Sequence, residues 1–213
     1  MVFAGAVYVK RLILASSSPW RLAALRDAGI PCETVPPAVD EHTIINEDPV
    51  AMAVARAEAK ALDVARRWPD ALVVGADQVA HLAGESFGKP RDTDDWRARL
   101  RSLRGRVHLL STGVALAEGE AVETFTVTTA VRFRADLSDE EIEAYIRSGE
   151  GAGCAGGYQV ERRGAWLIEA IDGDWWNVIG LPILPLIGRL RARGWRLEGA
   201  GEVGVVVGDP QPG

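Results

Sequence analysis

Leu12-Ile13-Leu14-Ala15-Ser16-Ser17-Ser18-Pro19-Trp20-Arg21 carries an aliphatic run into three serines, a proline, a tryptophan and an arginine. The apolar run predicts a buried strand over about 11–15. Arg21-Leu22-Ala23-Ala24-Leu25-Arg26, with leucines three apart, predicts a helix over about 19–28, stopped by Gly29. Ser18 is the expected N-cap and Pro19 the first helical residue. A strand that feeds a helix start through small polar residues suits an anion, because free backbone N–H groups and the helix dipole point at it. Arg21 lies in the first turn, where a cation opposes the dipole. Its placement is explained by a bound anion. On these residues alone, an ordinary capped helix with a surface arginine is the simpler reading.

Outward from this stretch, strands and helices alternate. Cys32-Glu33-Thr34-Val35 reads as a second strand, and Ala38-Val39-Asp40-Glu41 as an acidic loop. Asp48-Pro49 opens a long alanine-rich helix to about Arg67, with Lys60 in its second half. Ala71–Asp77 is a short hydrophobic strand ending on an acid, and Gln78–Leu82 continues as strand or hairpin, turning at Ala83-Gly84-Glu85. A helix follows from Asp92 or Thr93 to about Leu103. Val107–Leu116 and Val122–Arg134 alternate as paired antiparallel strands. Ser138 and Glu141 form a capping box, residues 149–157 read as a flexible glycine loop, Trp166–Ile171 as a strand, and Ile183–Arg193 as the last helix. The pattern predicts a mixed α/β fold. Residues 1–10 read as an N-terminal extension, 11–198 as a single domain and 199–213 as a flexible C-terminal tail.

Composition narrows the function classes. The chain of 213 residues is 47% hydrophobic and 25% charged, ordinary for a globular protein. A net charge of -6 argues against broad binding to nucleic acid or anionic membrane. Cys32 and Cys154 make neither a disulfide framework nor a zinc site. No run of about 18 apolar residues occurs, and the apolar start is too short for a signal sequence, so the expected location is cytoplasmic.

Gly151-Ala152-Gly153-Cys154-Ala155-Gly156 matches G-x-G-x-x-G, but it follows a predicted helix, so the dinucleotide-binding context is missing. His42, His81 and His108 lack metal-ligand spacing. Asp77 is the stronger candidate, since α/β folds place chemistry at strand ends. Turn formation is the competing role for such an aspartate. Lys89 and Arg91 flank Pro90 on a loop, which a solvated basic loop also explains. Glu41 and Asp77 offer carboxylates to a divalent cation, and Arg21, Lys60, Lys89 and Arg91 offer charge to phosphates. Metal-assisted attack on a phosphoanhydride needs that set.

Together the motifs resemble the Maf nucleoside triphosphate pyrophosphatases. They stand as Leu14-Ala15-Ser16-Ser17-Ser18-Pro19-Trp20-Arg21, Val39-Asp40-Glu41, Gly75-Ala76-Asp77, Gly88-Lys89-Pro90-Arg91-Asp92, Cys154-Ala155-Gly156-Gly157-Tyr158 and Asn177-Val178-Ile179-Gly180-Leu181-Pro182. The resemblance covers about 11–193. It implies an elongated mixed α/β sheet of the inosine-triphosphatase-like group, with two lobes around a cleft. It also implies hydrolysis of a nucleoside triphosphate to the monophosphate and pyrophosphate with Mg²⁺ or Mn²⁺, and allows a homodimer. Asp77 matches the family's proton acceptor, and Ser16, Arg21, Glu41, Lys60 and Lys89 match its other active-site positions. Ser18 joins Ser16 as a phosphate contact, and Glu41 joins Asp77 at the metal.

Three departures from the commoner family pattern bear on the base. Trp20 stands where the general motif has arginine, Gln78 where it has threonine, and Glu161 near where it has glutamine. They look like the branch acting on 7-methyl-GTP. A 7-methylguanine base carries positive charge, which a tryptophan face attracts, and a carboxylate accepts from the base N–H groups. Covering the core is the competing role for Trp20, and a plain surface charge the competing role for Glu161. The runner-up substrates are dTTP and UTP. A nucleotide-binding regulator of septation is the reading from a different class.

Overall fold

A computed structural model describes residues 10–196. The readings over 1–10 (apart from Lys10) and 199–213 lie outside the described residues. The elements are β1 Leu12–Ala15, α1 Pro19–Asp27, β2 Glu33–Thr34, α2 Pro49–Arg67, β3 Leu72–Leu82, β4 Glu85–Phe87 and α3 Thr93–Leu103. They continue with β5 Val107–Glu118, β6 Ala121–Phe133, α4 Asp139–Arg147, β7 Ile168–Asp172, α5 Trp175–Ile179 and α6 Ile183–Ala192. Seven strands form one mixed sheet in the order β2-β1-β3-β5-β6-β7, with β4 also on β3. β1 runs parallel to β2 and β3, and the remaining pairs are antiparallel. Each parallel neighbour is reached through a helix, α1 or α2, as parallel pairing requires.

The starts of α2 and α4 follow the capping chemistry, whereas at α1 Ser18 holds the N-cap position and Pro19 opens the helix without a side-chain cap bond. Asp48 accepts from the Val50 N–H ahead of α2, and Ser138 with Glu141 closes the capping box of α4. Differences arise where tertiary pairing outweighs local pattern. Residues 163–167 form a 3-10 helix, so β7 begins at Ile168 rather than at Trp166. A short helix, α5, unmarked in the sequence reading, is capped by Asp174 through the Asn177 N–H. The turn at Ala83-Gly84 has φ of +54° and +87°, the left-handed pair that a two-residue hairpin needs.

Of the two continuations open for Gln78–Leu82, strand or hairpin, the chain takes the first: β3 runs on to Leu82 because β5 accompanies it from Val73↔Ala117 to His81↔Leu109. Asp77 therefore lies within a strand rather than at a strand end. On the other edge β1 leaves at Ala15↔Gly75, and β4 joins only at Ala80↔Phe87. Ala76 to Val79 therefore face a notch between two partner strands. Asp77 and Gln78 lie in that notch, on opposite faces of the sheet.

Apolar clusters occupy both ends of the long strands. One packs α1 and α6 on Leu12, Leu14, Leu72, Val74, Val114 and Leu116. A second fills the opposite sheet face under Ala57, Ala61, Val64 and Ala65 of α2. A third packs α3, α4 and Tyr158 on Leu110, Val131 and Phe133. Because β3, β5 and β6 traverse these regions, the lobes share one sheet.

His108 is fully buried on β5, with Nε2 2.8 Å from the Tyr158 hydroxyl. Burial pushes its imidazole down from 6.5 to about 4. Below pH 6.5 the unfolded chain takes up a proton that the folded chain refuses until about pH 4. Stability is expected to fall across that window by up to about 3 kcal/mol. Urea midpoints followed across it check this, and His108→Gln should flatten the slope.

Candidate active site

Small residues set α2 unusually close to the sheet. A Cβ on Gly75 would lie 2.3 Å from the Ala57 carbonyl oxygen, and one on Gly113 2.5 Å from the Ala53 backbone. Ala53, Ala57 and Ala61 repeat every four residues, so one alanine face meets these two glycines. That approach brings Lys60, only 3% exposed, onto Asp77, only 6% exposed. Lys60 Nζ lies 2.7 Å from Asp77 Oδ1 and 3.0 Å from Glu41 Oε2. Glu41 gets there on a 3-10 turn, Glu41–Thr43, capped by Asp40. Half-burial pushes the Glu41 carboxyl up, but Lys60 and Arg21 outweigh it and hold the group below its ordinary value. Asp77 Oδ2 is buried without a hydrogen-bond partner, 3.8 Å from Arg56 Nη1.

The strand-to-helix turn lies across the notch. Ser16 Oγ accepts from the Ser18 N–H at 3.1 Å and from Arg21 Nη1 at 3.4 Å. Arg21 Nε donates to the Gly180 carbonyl at 3.0 Å, so the arginine is anchored across to the end of α5. Burial lowers its guanidinium, opposed by the charges of Asp77 and Glu41. The Ser18 hydroxyl makes no cap bond. The two faces meet in a cavity of about 540 Å³. Its wall includes Ser16, Ser18, Trp20, Arg21, Glu41, Lys60, Asp77, Gln78, Lys89 and Glu161. Arg91, the other cation offered to phosphates, is not on that wall; it is exposed and pairs with Asp95 of α3 at 3.2 Å.

These residues divide by depth. Lys60 and Asp77 are buried, whereas Lys89 and Glu161 are exposed at the rim. Gln78 Nε2 donates to Thr112 Oγ1 at 3.1 Å and to the Asn177 carbonyl at 2.5 Å. Both amide hydrogens are thus spent inside the protein, leaving the carbonyl oxygen for a ligand. The glycine stretch read as flexible is packed instead. Gly151 has no room for a Cβ beside the Gly157 carbonyl, and Trp96 Nε1 donates to that same oxygen at 2.7 Å. This loop carries Gly153 and Cys154 onto the wall.

The family model for Maf-like proteins matches residues 11–193. The chain belongs to the Maf family. A relative from Streptomyces coelicolor named "Nucleoside triphosphate pyrophosphatase" is 44% identical over 189 residues, covering 86% of this chain and 90% of its own. One from Symbiobacterium thermophilum named "dTTP/UTP pyrophosphatase" is 43% identical, covering 82% and 90%. One from Rhizobium meliloti named "7-methyl-GTP pyrophosphatase" is 41% identical, covering 86% and 96%. Among solved structures, a HAM1 protein from Coxiella burnetii aligns with a TM-score of 0.48 at 16% identity, over 86% of this chain and 99% of that one.

The sequence reading did not name Arg56 and gave Asn177, quoted within a motif, no role. Arg56 lies one turn before Lys60, lines the cavity and donates from Nε to the Ile44 carbonyl at 3.1 Å. Its signal was a second cation at i−4 on an otherwise alanine-rich helix face. Asn177, fully buried, donates to the Leu110 carbonyl and Thr129 Oγ1, both at 3.0 Å, and so fixes the backbone that holds Gln78. No helix among the described residues is long and apolar enough to cross a membrane.

Proposed function

We propose that this Maf protein is a nucleoside triphosphate pyrophosphatase with a preference for 7-methyl-GTP. One observation carries the reading: Trp20, Gln78 and Glu161 share a single cavity with the Lys60–Asp77–Glu41 cluster. A charged acid-base cluster suits phosphate chemistry, and the other three side chains suit a cationic, donor-rich base. Trp20 offers a negative π face. Glu161 is an acceptor-only carboxylate when ionised, and Gln78 has only its carbonyl oxygen left. Two acceptors match the N1–H and amino donors of guanine better than the alternating edge of uracil or thymine.

Glu41 and Asp77 fit a divalent cation. Both carboxylates already converge on one ammonium, and hard oxygen donors suit Mg²⁺ or Mn²⁺. Among the described residues no group of three or more His, Cys, Asp or Glu could hold a metal. The ion would therefore share these two carboxylates with substrate phosphates and water, as Mg²⁺ commonly does. When bound, it supplies positive charge to the phosphate oxygens.

The chain's own groups divide the remaining work. Water attacks the α-phosphorus, the bond from that phosphorus to the α–β bridging oxygen breaks, and pyrophosphate leaves with its electron pair. Asp77 takes the water proton, or would hold a divalent ion that supplies charge beside that water. Arg21, Arg56, Lys60 and Lys89 balance the triphosphate and the pyrophosphate leaving group. Ser16 and Ser18 donate to phosphate oxygens.

Glu161→Gln tests the base assignment. It should lower the kcat/KM ratio of 7-methyl-GTP to UTP by about tenfold, the worth of a charge-assisted hydrogen bond. An unchanged ratio would remove Glu161 from the base site. The second reading, the same chemistry on dTTP or UTP, is supported by the relative of that name at 43% identity.

A further inference from the structure

Arg162 follows the rim residue Glu161 and is exposed. Its backbone N–H donates to the Gln159 carbonyl at 3.3 Å. Its guanidinium carbon stands 5.7 Å from the centroid of the Trp20 ring, within the range of cation–π attraction. Trp20 also lines the cavity. The indole that would receive the base is therefore already engaged by a cation of the chain itself.

We propose that Arg162 is a specificity-determining residue that restrains the preference for a positively charged base. The proposal rests on the reading that Trp20 stacks on the base. A neutral base arriving at Trp20 meets the indole and the guanidinium without net charge repulsion. A cationic base meets a ring whose quadrupole is already shared and a like charge beside it. The sign holds whichever face of the indole each cation takes. On the same face the two compete for position, and on opposite faces they repel through the ring. Glu161, next in the chain, offsets part of that repulsion by supplying a negative charge. The pair Glu161-Arg162 thus sets the charge that the base meets at the rim.

The test compares 7-methyl-GTP with GTP, which differ by one methyl and one charge. The ratio of their kcat/KM values is measured for the unaltered chain, Arg162→Ala, Arg162→Lys and Arg163→Ala. Binding of 7-methyl-GMP and GMP, followed by tryptophan fluorescence, supplies a readout independent of turnover. Arg162→Ala should raise the ratio of charged to neutral base by about two- to fivefold in both assays. Arg162→Lys keeps the cation and should hold the original ratio. Arg163→Ala removes a neighbouring charge, and it too should hold the ratio. An unchanged ratio in Arg162→Ala overturns the proposal, as does an equal rise in Arg163→Ala, which would indicate a general charge effect. An unaltered chain that favours GTP, UTP or dTTP defeats the 7-methyl-GTP reading. A rise in Arg162→Ala would still support Arg162 in that case, so the two failures are distinguishable.

Discussion

Asp77→Asn is expected to lower pyrophosphate release by about 10²–10⁴-fold, the range for losing a positioned acid-base group. The substitution preserves shape while removing the carboxylate that meets Lys60 at 2.7 Å. Lys60 keeps a partner in Glu41 at 3.0 Å, so the ammonium is not left without a counter-charge. The fold should therefore remain near its original stability, and a urea melt beside the activity assay separates the two effects. Turnover close to that of the unaltered chain would remove Asp77 from the chemistry. A collapse in stability with the same loss of turnover would leave the loss uninterpretable as catalysis, and Asp77→Glu, which keeps the charge but moves it, then provides the comparison. It should bind nucleotide and turn over poorly.

Gly75→Ala should give a large stability loss. The added Cβ would lie 2.3 Å from the Ala57 carbonyl oxygen and 2.8 Å from the Ala61 backbone nitrogen. Backbone atoms cannot rotate away as a side chain would, so α2 must move off β3. Overpacking of this kind costs about 1–3 kcal/mol. The movement displaces Lys60 from Asp77, so activity should fall with stability. Gly188→Ala is the counterpart within α6, where a Cβ meets nothing within 4 Å. It should be neutral or stabilising, by up to about 1 kcal/mol from helix propensity. Similar unfolding midpoints for the two variants would contradict the close helix–sheet contact.

Local chemistry made much of this fold legible. The Ser18-Pro19 and Asp48-Pro49 pairs mark helix starts in the sequence, and both helices begin there. The alternation in 107–134 marks a hairpin, and β5 and β6 pair throughout it. What depends on distant partners was not legible. Nothing within Ala71–Leu82 decides between strand and hairpin after Asp77, or tells that β5 continues alongside while β1 leaves at Ala15. The notch between β1 and β4 is likewise a property of register between segments far apart in sequence. The glycine stretch at 149–157 reads as slack because glycine is permissive. Its actual use is close packing, with Gly151 against the Gly157 carbonyl. The candidate site residues were named through motif resemblance, and all of them but Arg91 line one cavity. Arg56 and the contacts of Asn177 were not legible, since each side chain meets a partner that only the folded chain supplies.

The most direct measurement of the central claim is pyrophosphate release with Mg²⁺ across 7-methyl-GTP, GTP, UTP, dTTP and ITP at equal concentration. The expected result is release of pyrophosphate with formation of the monophosphate, and the highest kcat/KM on 7-methyl-GTP. A higher value on UTP or dTTP would contradict the base assignment to Trp20, Gln78 and Glu161, and absence of release from every nucleotide would contradict the enzyme itself.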